Sequence, residues 1–581
     1  MRLKISESKN AKSLYIIKST YENGVSSSKI VEKLGTYAEL QKQLNGRDPI
    51  EWGKERAAEL TRQEKEQSRE VMVKYSPVKI IEKNEARSFN GGYLFLQKIY
   101  HELELDKVCK EISKKYKFEF DLDSILSRLV YGRLIFPASK LSTNELSKKF
   151  IESPNFELHH IYRALEVIAK EMDFIQSELY KNSLAVSKRN TGVLFYDCTN
   201  YFFEIEQAEG LKQYGYSKEH RPNPLVQMGL FMDGDGIPLA FNINAGNTNE
   251  QKTLKPLEKK ILSDFKLSKF VVCTDAGLSS LENRKFNDIA GRAFITTQSV
   301  KKLKSHLKEW ALSDTGWKLA GSPNTYDITK LDNPEFLDKF TGNVSEVKEK
   351  TFYKERWINE DEFEQRLIIT YSIKYMEYQR KIRSKQIERA VKLLNTNPQK
   401  LNKANQNDCK RFIAKTSYTE DGEVAEKTSF SIDTSIIANE EMFDGFYGVC
   451  TNLEAEPAAI VKINHRRWEI EECFKIMKSE FEARPVYLSR DDRIIAHFLT
   501  CFLTLILYRF LERKLGSKFS CYEIIDGLRD MNFLKVVGDG YIPTYTRTDF
   551  TDALHEAFGF RTDYEIVTNK QMKNIFKITK N

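Results

Sequence analysis

From about Gly92 to Lys188 apolar residues recur at helical spacing, as in SILSRLVYGRLIF and IYRALEVIAKEMDFIQSELY, and at residue 193 that period changes. GVLFYD and YFFEIE are short β-rich runs. LVQMGLFMD and IPLAFNINAG follow on either side of the turn Gly234-Asp235-Gly236, so three strands in antiparallel succession are implied. A helical stretch (TLKPLEKKILSDF), a fully apolar strand (KFVVCTD), another helix (LSSLENRKFNDIA) and a further strand (RAFITTQ) come next. The order β-β-β-α-β-α-β restricts the chain to a mixed sheet in this region. Antiparallel strands lie on one side, parallel strands on the other, and helices cover the faces.

The rest of the chain is arranged around that core. At 581 residues it is too long for one ordinary domain. Residues 1–75 are expected to hold a small hairpin, in which SLYIIKS and SSKIVEKLG flank the turn-forming Asn23-Gly24, followed by a charged helix. Residues 76–190 form a helical region, a candidate DNA-binding unit whose pattern is equally that of a packing bundle. Residues 191–300 are the first part of the core. Residues 301–451 mix short strands, turns such as Glu420-Asp421-Gly422-Glu423 and one basic helix. A structureless loop of that length is implausible, so an inserted α+β subdomain is expected. Residues 452–516 return to the core, and 517–581 form a C-terminal helical cap. The fold class is therefore α/β and multidomain, with a mainly helical N-terminal region.

Eight cysteines are scattered with no CxxC pair, which speaks against a zinc site or a disulfide framework. The first residues lack the apolar core of a secretion signal. The most apolar run, Ile494 to Tyr508, contains His497 and ends at Arg509, and it is shorter than the roughly 20 residues of a bilayer span. It reads as a buried helix of a cytoplasmic protein with no membrane partner. The net charge of +8 suits a nucleic-acid partner without establishing one, because such partners are met by local basic patches.

Two apolar runs end in aspartate: VLFYD at Asp197 and FVVCTD at Asp275. Either alone reads equally as a turn or cap residue. As a pair they are more informative. In this strand order the first and fourth strands lie side by side, so carboxylates at their ends approach each other despite their separation in sequence. Two unneutralised carboxylates that close repel, and a bound cation is the natural resolution. The third element is RRWEIEECFKIMK. On a helix, Arg467, Glu471, Phe474 and Lys478 fall at about 0°, 40°, −20° and 20°, a narrow stripe with a carboxylate between two cations. A solvated salt-bridge face is the alternative. Trp468, Ile470, Phe474 and Met477 instead argue for a packed helix, on which charge needs a ligand or partner.

These residues resemble the DDE transposases of bacterial insertion sequences, in the branch whose third carboxylate lies in a Tyr-x2-Arg-x3-Glu-x6-Lys signature. Arg467, Glu471 and Lys478 match that spacing, and Asn464 occupies the Tyr position, where the family's Tyr helps hold the DNA backbone. FYDCTNYFFE is similar to the family's first-Asp strand, GYSKEHRPNPLVQMGL and GIPLAFNINAGNTNE to the hairpin after it, and VVCTDAGLSS to the second-Asp segment. QRKIRSKQIERA is similar to a helix of the family's insertion, and RLIFPASK is a fainter likeness upstream. The resemblance covers roughly residues 190–515 and implies a ribonuclease H-like core.

It further implies that Asp197, Asp275 and Glu471 are catalytic and hold two divalent ions, Mg²⁺ or in its place Mn²⁺, about 3.5–4 Å apart. The activity implied is nicking at the transposon ends and attack of the freed 3′-hydroxyl on target DNA. The partners are double-stranded DNA, both terminal inverted repeats and target, and a second copy of the chain in a homodimer. Arg467 and Lys478 are expected to contact phosphates, as is the residue at Asn464. Lys218, Arg221, Arg380, Lys381 and Arg383 are further DNA-contact candidates. Asp233 and Asp235 are explained by the hairpin turn, and His159-His160 lacks partners at metal-ligand spacing. Two alternatives stay open: a nuclease that cuts without joining, and an inactive DNA-binding descendant of a transposase.

Overall fold

A computed structural model describes all residues except 9–10, 23–24, 45, 68–70, 74, 290, 332–346, 397–407 and 419–426. The chain forms two compact units. One comprises Met1–Glu85 with Val536–Tyr541, the other Ala86–Lys535 with Ile542–Asn581.

In the first unit β1 (Arg2–Glu7), β2 (Lys12–Glu22) and β3 (Val25–Thr36) make an antiparallel sheet. The expected hairpin is β2–β3; its Asn23-Gly24 turn lies outside the described residues. Leu14 and Ile16 are fully buried under α1 (Tyr37–Gln43) and α2 (Pro49–Gln67). A Thr36/Glu39 capping box starts α1 by satisfying two otherwise orphaned backbone donors.

The second unit opens with β4 (Ser88–Asn90) and six helices: α3 (Tyr93–Glu102), α4 (Leu105–Lys115), α5 (Leu122–Ile135), α6 (Lys140–Ser147), α7 (Leu158–Lys170) and α8 (Met172–Val186). The core then runs β5 (Val193–Phe202), β6 (Leu225–Asp233), β7 (Pro238–Ala245), α9 (Leu254–Asp264), β8 (Phe270–Thr274), α10 (Leu281–Phe286) and β9 (Arg292–Gln298). β5, β6 and β7 are antiparallel, β8 lies parallel beside β5, and β9 lies parallel beside β8. GVLFYD and YFFEIE are not two runs: one strand passes through both as far as Phe202, because β6 pairs with it from Leu194 to Phe202.

The strands that follow join the same sheet. α11 (Ser305–Leu312), β10 (Trp317–Leu319), β11 (Thr325–Tyr326), β12 (Phe352–Glu360), β13 (Phe363–Tyr371) and the basic α12 (Ile373–Thr396) lead through the hairpin β14 (Ile413–Tyr418) and β15 (Lys427–Ile432) to α13 (Thr434–Glu441) and β16 (Phe446–Thr451). The Glu420–Glu423 turn lies outside the described residues. β16 pairs antiparallel with both β13 and β9, giving one sheet in the order β11-β10-β12-β13-β16-β9-β8-β5-β6-β7.

The chain then returns as α14 (Pro457–His465), α15 (Trp468–Ser479) and α16 (Asp491–Lys514). α16 is long and apolar enough to cross a membrane, but 94% of its apolar window is buried by the rest of the protein. It packs on α3, α5, α7 and β7; Phe502 meets Phe241 of β7 at 4.8 Å between ring centres and Phe498 meets Tyr201 of β5 at 4.7 Å. Each fully buried Leu, Ile or Phe contributes roughly 1.5–3 kcal/mol, so this helix is a main source of stability for the unit. After it come α17 (Cys521–Asp530), β17 (Asn532–Val536), α18 (Asp549–Phe558) and α19 (Asn569–Thr579). Asn532–Leu534 pair with β4, and the Asn90 amide donates to the carbonyls of Leu528 and Arg529, closing the end of the unit on its beginning.

Candidate active site

β6 follows β5 along its full length, but β8 covers only Val193–Phe195. Past Phe195 the β8 side of β5 is open, and Asp197 emerges there. It therefore does not end its strand; the partner strand stops beside it. The parallel register sets Phe195 against Cys273, so two residues on Asp197 is level with Asp275, just beyond β8. Neighbouring strands are about 4.8 Å apart, which brings the two aspartates to the same end of the sheet as close neighbours.

The two differ in environment. Asp197 is only partly exposed and accepts the Cys198 backbone N–H at 2.8 Å. Burial pushes its pKa up to about 6 and Asp275 adds to that, against the lowering effect of Lys218, the Cys198 amide and Arg467. Asp275 accepts the Leu278 backbone N–H at 2.9 Å, which holds its carboxylate at the start of the turn toward α10.

The cations converge on Asp197. Lys218 donates to the Cys198 carbonyl and pairs with Glu250 at 3.4 Å. Burial lowers its pKa, but Asp197 and Glu250 outweigh burial and hold it above the ordinary value. Lys478 pairs with Glu219 at 3.3 Å and lies 5.4 Å from the Tyr201 ring centre. Burial pulls it down to about 8, with Lys218 adding to the fall and Asp197 opposing it. Arg467 donates to the Thr297 hydroxyl at 3.1 Å.

α15 carries Arg467 at its N-cap and Lys478 in its last turn, and it is packed on the sheet through Met477 against Tyr201 and Cys473 against Met232. Both cations act on Asp197, so the face that bears them is turned toward it. Glu471 is on that same stripe, one turn after Arg467. It is exposed, with no ion pair or side-chain hydrogen bond among the described residues. The oxygens of Asp197, Asp275 and Glu471 do not all lie within 4.8 Å of one another. Among the described residues the one trio of potential metal ligands that close is Asp552, His555 and Asp563. There Arg547 and Arg561 already engage the carboxylates. The donor chemistry of Asp197, Asp275 and Glu471 nevertheless fits hard divalent cations: all oxygen, anionic, and with one carboxylate partly buried beside another.

The structure redraws the rest of the predicted set. Asn464 is 1% exposed, below the site rather than on its surface. Its amide donates to the Tyr447 hydroxyl at 2.6 Å and to Thr297 at 3.3 Å, and its oxygen accepts from Cys273. It is thus buried away from any DNA backbone and instead braces the Thr297 hydroxyl that receives Arg467. Arg383 is also buried, with its guanidinium on Asp444 at 2.6 and 2.7 Å, so its donors are committed within the protein. Arg380 is largely exposed and reaches Asp444 at 3.4 Å, while Lys381 is exposed. Arg221 is exposed and stacks 4.2 Å from the Phe202 ring centre.

Glu219, Arg484, Thr297 and Tyr447 complete the site. Glu219 gathers Lys478, Arg484 and Arg221, Thr297 receives Arg467, and Tyr447 holds Thr297 from below. Glu219 stands inside the GYSKEHRP segment, between the cations Lys218 and Arg221. Thr297 and Tyr447 carry no spacing signal, because only the pairing of β16 with β9 brings them together.

Comparison with curated proteins gave no significant match. Among solved structures, the piggyBac transposase synaptic complex with hairpin DNA, determined by cryo-EM, aligns at 8% identity and a TM-score of 0.37, over 85% of this chain and 87% of that one. Residues 201–507 match the family described as the transposase DDE domain. The match begins four residues after Asp197 and includes Asp275 and Glu471. Because it spans more than half of the chain, this protein belongs to the transposase DDE domain family.

Proposed function

We propose that this protein is an insertion-sequence transposase that nicks DNA at the ends of its element and joins the freed 3′-hydroxyl to target DNA, using Asp197, Asp275 and Glu471 on a ribonuclease H-like core. The observation that carries this reading is the placement of Asp197 level with Asp275 at one end of adjacent parallel strands, under the Arg467–Lys478 face of α15. The three carboxylates would hold divalent cations, Mg²⁺ by their hard-oxygen chemistry. When bound, such ions supply Lewis-acid activation of the attacking oxygen and stabilise charge on the leaving one.

The chain's own residues account for the rest. Arg467, fixed by Thr297, and Lys478, fixed by Glu219, present cations beside the carboxylates, where they would position the phosphate and offset its charge. Lys218 and Arg221 extend that surface along the segment between β5 and β6. Burial and Asp275 hold the Asp197 carboxyl above the ordinary aspartate range, and a cation bound there would lower it again. Two ends must be cut in concert, so the working form is proposed to be a homodimer bound to terminal inverted repeats.

The test is Glu471→Gln. With Mg²⁺ and a labelled end-containing duplex, the variant is expected to bind DNA as well as the wild type and to cleave at least a thousandfold more slowly, a loss in the range of about 4 kcal/mol or more. Equal cleavage by the two proteins overturns the active-site assignment. A strand-transfer assay with a pre-nicked end then separates a transposase from a nuclease that only cuts.

A further inference from the structure

α5, α6, α16 and the loop between α15 and α16 enclose a cavity of about 180 Å³ that opens to solvent past Leu141 and Tyr487, both exposed. At about 30 Å³ per water, the space equals roughly six waters. Its walls carry Arg133, Lys140, Arg484 and His497 against a single carboxylate, the exposed Glu482.

Two of these cations, Lys140 and Arg133, have no counter-charge among the described residues. Lys140 is 5% exposed, and among the described residues its ammonium has no hydrogen-bond or ion-pair partner. Burial and the adjacent Arg133 push its pKa down to about 7. Arg133 is buried too; its guanidinium is held by the carbonyls of Phe481 and Ala138 at 3.2 and 2.9 Å, and its Nε has no partner among the described residues. Carbonyl dipoles orient that guanidinium without neutralising it. A buried cation without a counter-charge is costly, and a cavity lined by two of them is complementary to an oxyanion.

The cavity also connects to the candidate active site. Arg484 on its wall pairs with Glu219, and Glu219 pairs with Lys478, which senses Asp197. Two ion pairs thus link Arg484 on the cavity wall to Lys478 beside the candidate active site. At the mouth, the ring of Tyr487 is 74% exposed, offering a face on which a base can stack. Two guanidinium groups, a buried ammonium and a flanking aromatic ring suit a phosphodiester and its base better than a small carboxylate.

We propose that this cavity binds a backbone phosphate of the DNA strand, with Arg133, Lys140 and Arg484 as its donors and Tyr487 as the stacking surface beside it. The proposal rests on the reading of the protein as a DNA transposase.

The experiment uses the full chain in EDTA, so that binding is measured without cleavage. A fluorescent single-stranded oligonucleotide is titrated at a series of salt concentrations, and inorganic phosphate is added separately in thermal unfolding. Two variants are compared with wild type. Lys140→Met removes the ammonium at similar size. Ser139→Asp places a carboxylate on the cavity wall at a position where Asp preserves the N-cap of α6. Both are expected to fold and to bind the oligonucleotide about tenfold more weakly. Lys140→Met should also lower the slope of log K against log salt by about one phosphate contact. Phosphate should raise the wild-type melting temperature and leave that of Lys140→Met unmoved.

Unchanged oligonucleotide affinity in folded Ser139→Asp overturns the proposal even if Lys140→Met fails to fold. A phosphate response that depends on Lys140, with unchanged oligonucleotide binding, overturns the DNA assignment in favour of a free phosphate ligand. The proposed function is read from a different control: with Mg²⁺ the wild type cleaves an end-containing duplex and Glu471→Gln does not if that reading holds, whatever the cavity does. No oligonucleotide binding by the wild type defeats both.

Discussion

Asp197 and Lys140 are both ionisable groups held where their charged forms are poorly supported, and each makes a prediction about stability rather than activity. For Asp197, burial and Asp275 raise the pKa to about 6. At neutral pH the native state therefore holds an anion that costs free energy, and Asp197→Asn removes it with little change in shape. We expect the variant to be more stable than the wild type in EDTA, by up to about 3 kcal/mol, and inactive in cleavage. Thermal unfolding in EDTA checks this; a less stable variant would mean that the contacts of Asp197 with Lys218 and Arg467 outweigh the repulsion. For Lys140 the sign follows from a pKa lowered to about 7 from 10.5. Below about 7 the native and unfolded states both carry the proton, and the penalty is fully present. Between about 7 and 10.5 the unfolded chain binds more protons than the native one, so stability rises with pH by up to ~1.4 kcal/mol per unit. Lys140→Met should lose that rise, so the advantage of the variant over the wild type shrinks with increasing pH in urea denaturation.

At the scale of elements, the buried Arg189–Asp233 pair fixes the β6–β7 hairpin to the end of α8. Arg189 reaches Asp233 at 2.6 Å and also donates to Ser183 and to the carbonyls of Ile237 and Pro238, and both charged groups are essentially unexposed. Asp233 in turn accepts the backbone N–H groups of Asp235 and Ile237 across the turn. Arg189→Met strands a buried carboxylate and should cost about 3–5 kcal/mol, read as a lower denaturation midpoint at unchanged slope. The turn itself was legible from Gly234-Asp235-Gly236; its clamp was not, because Arg189 lies 44 positions away and has no periodic partner. The same distinction runs through the site. Local signals disclosed the strands ending near Asp197 and Asp275 and the helix of Glu471. The extension of β5 through Cys198-Thr199-Asn200 was hidden, since its cause is the long ladder with β6. The place of β16 beside β9 was hidden too, since the pairing joins segments about 150 residues apart. Asn464 shows the cost of reading position alone: the spacing aligns it with a DNA-facing residue, while the Tyr447 and Thr297 hydroxyls draw it into the interior.

At the scale of the whole molecule, a net charge of +8 over 581 residues says little about where DNA binds, and the charge of the cleft says more. Lys218, Arg221, Arg467, Lys478 and Arg484 stand against Asp197, Asp275, Glu219 and Glu250, with Glu471 exposed on the same stripe of α15. Without divalent ions the cleft is close to neutral, and on the proposed reading its attraction for a polyanion is cancelled where the scissile phosphate would lie. Divalent ions at the carboxylates would tip that balance positive. DNA affinity should therefore rise when Mg²⁺ is added at constant ionic strength, against the usual screening by salt. In EDTA, removing one of the negative charges should have the same sign: Asp197→Asn is expected to bind duplex DNA more tightly than the wild type by about 1 kcal/mol, roughly fivefold in Kd. The gain from Mg²⁺ should be smaller in that variant than in the wild type, because one ligand is gone. Fluorescence anisotropy with a short duplex checks both statements. If Asp197→Asn weakens DNA binding in EDTA, or Mg²⁺ only screens it, the DNA does not lie over these carboxylates, and exposed Arg380 and Lys381 of α12 become the surface to test.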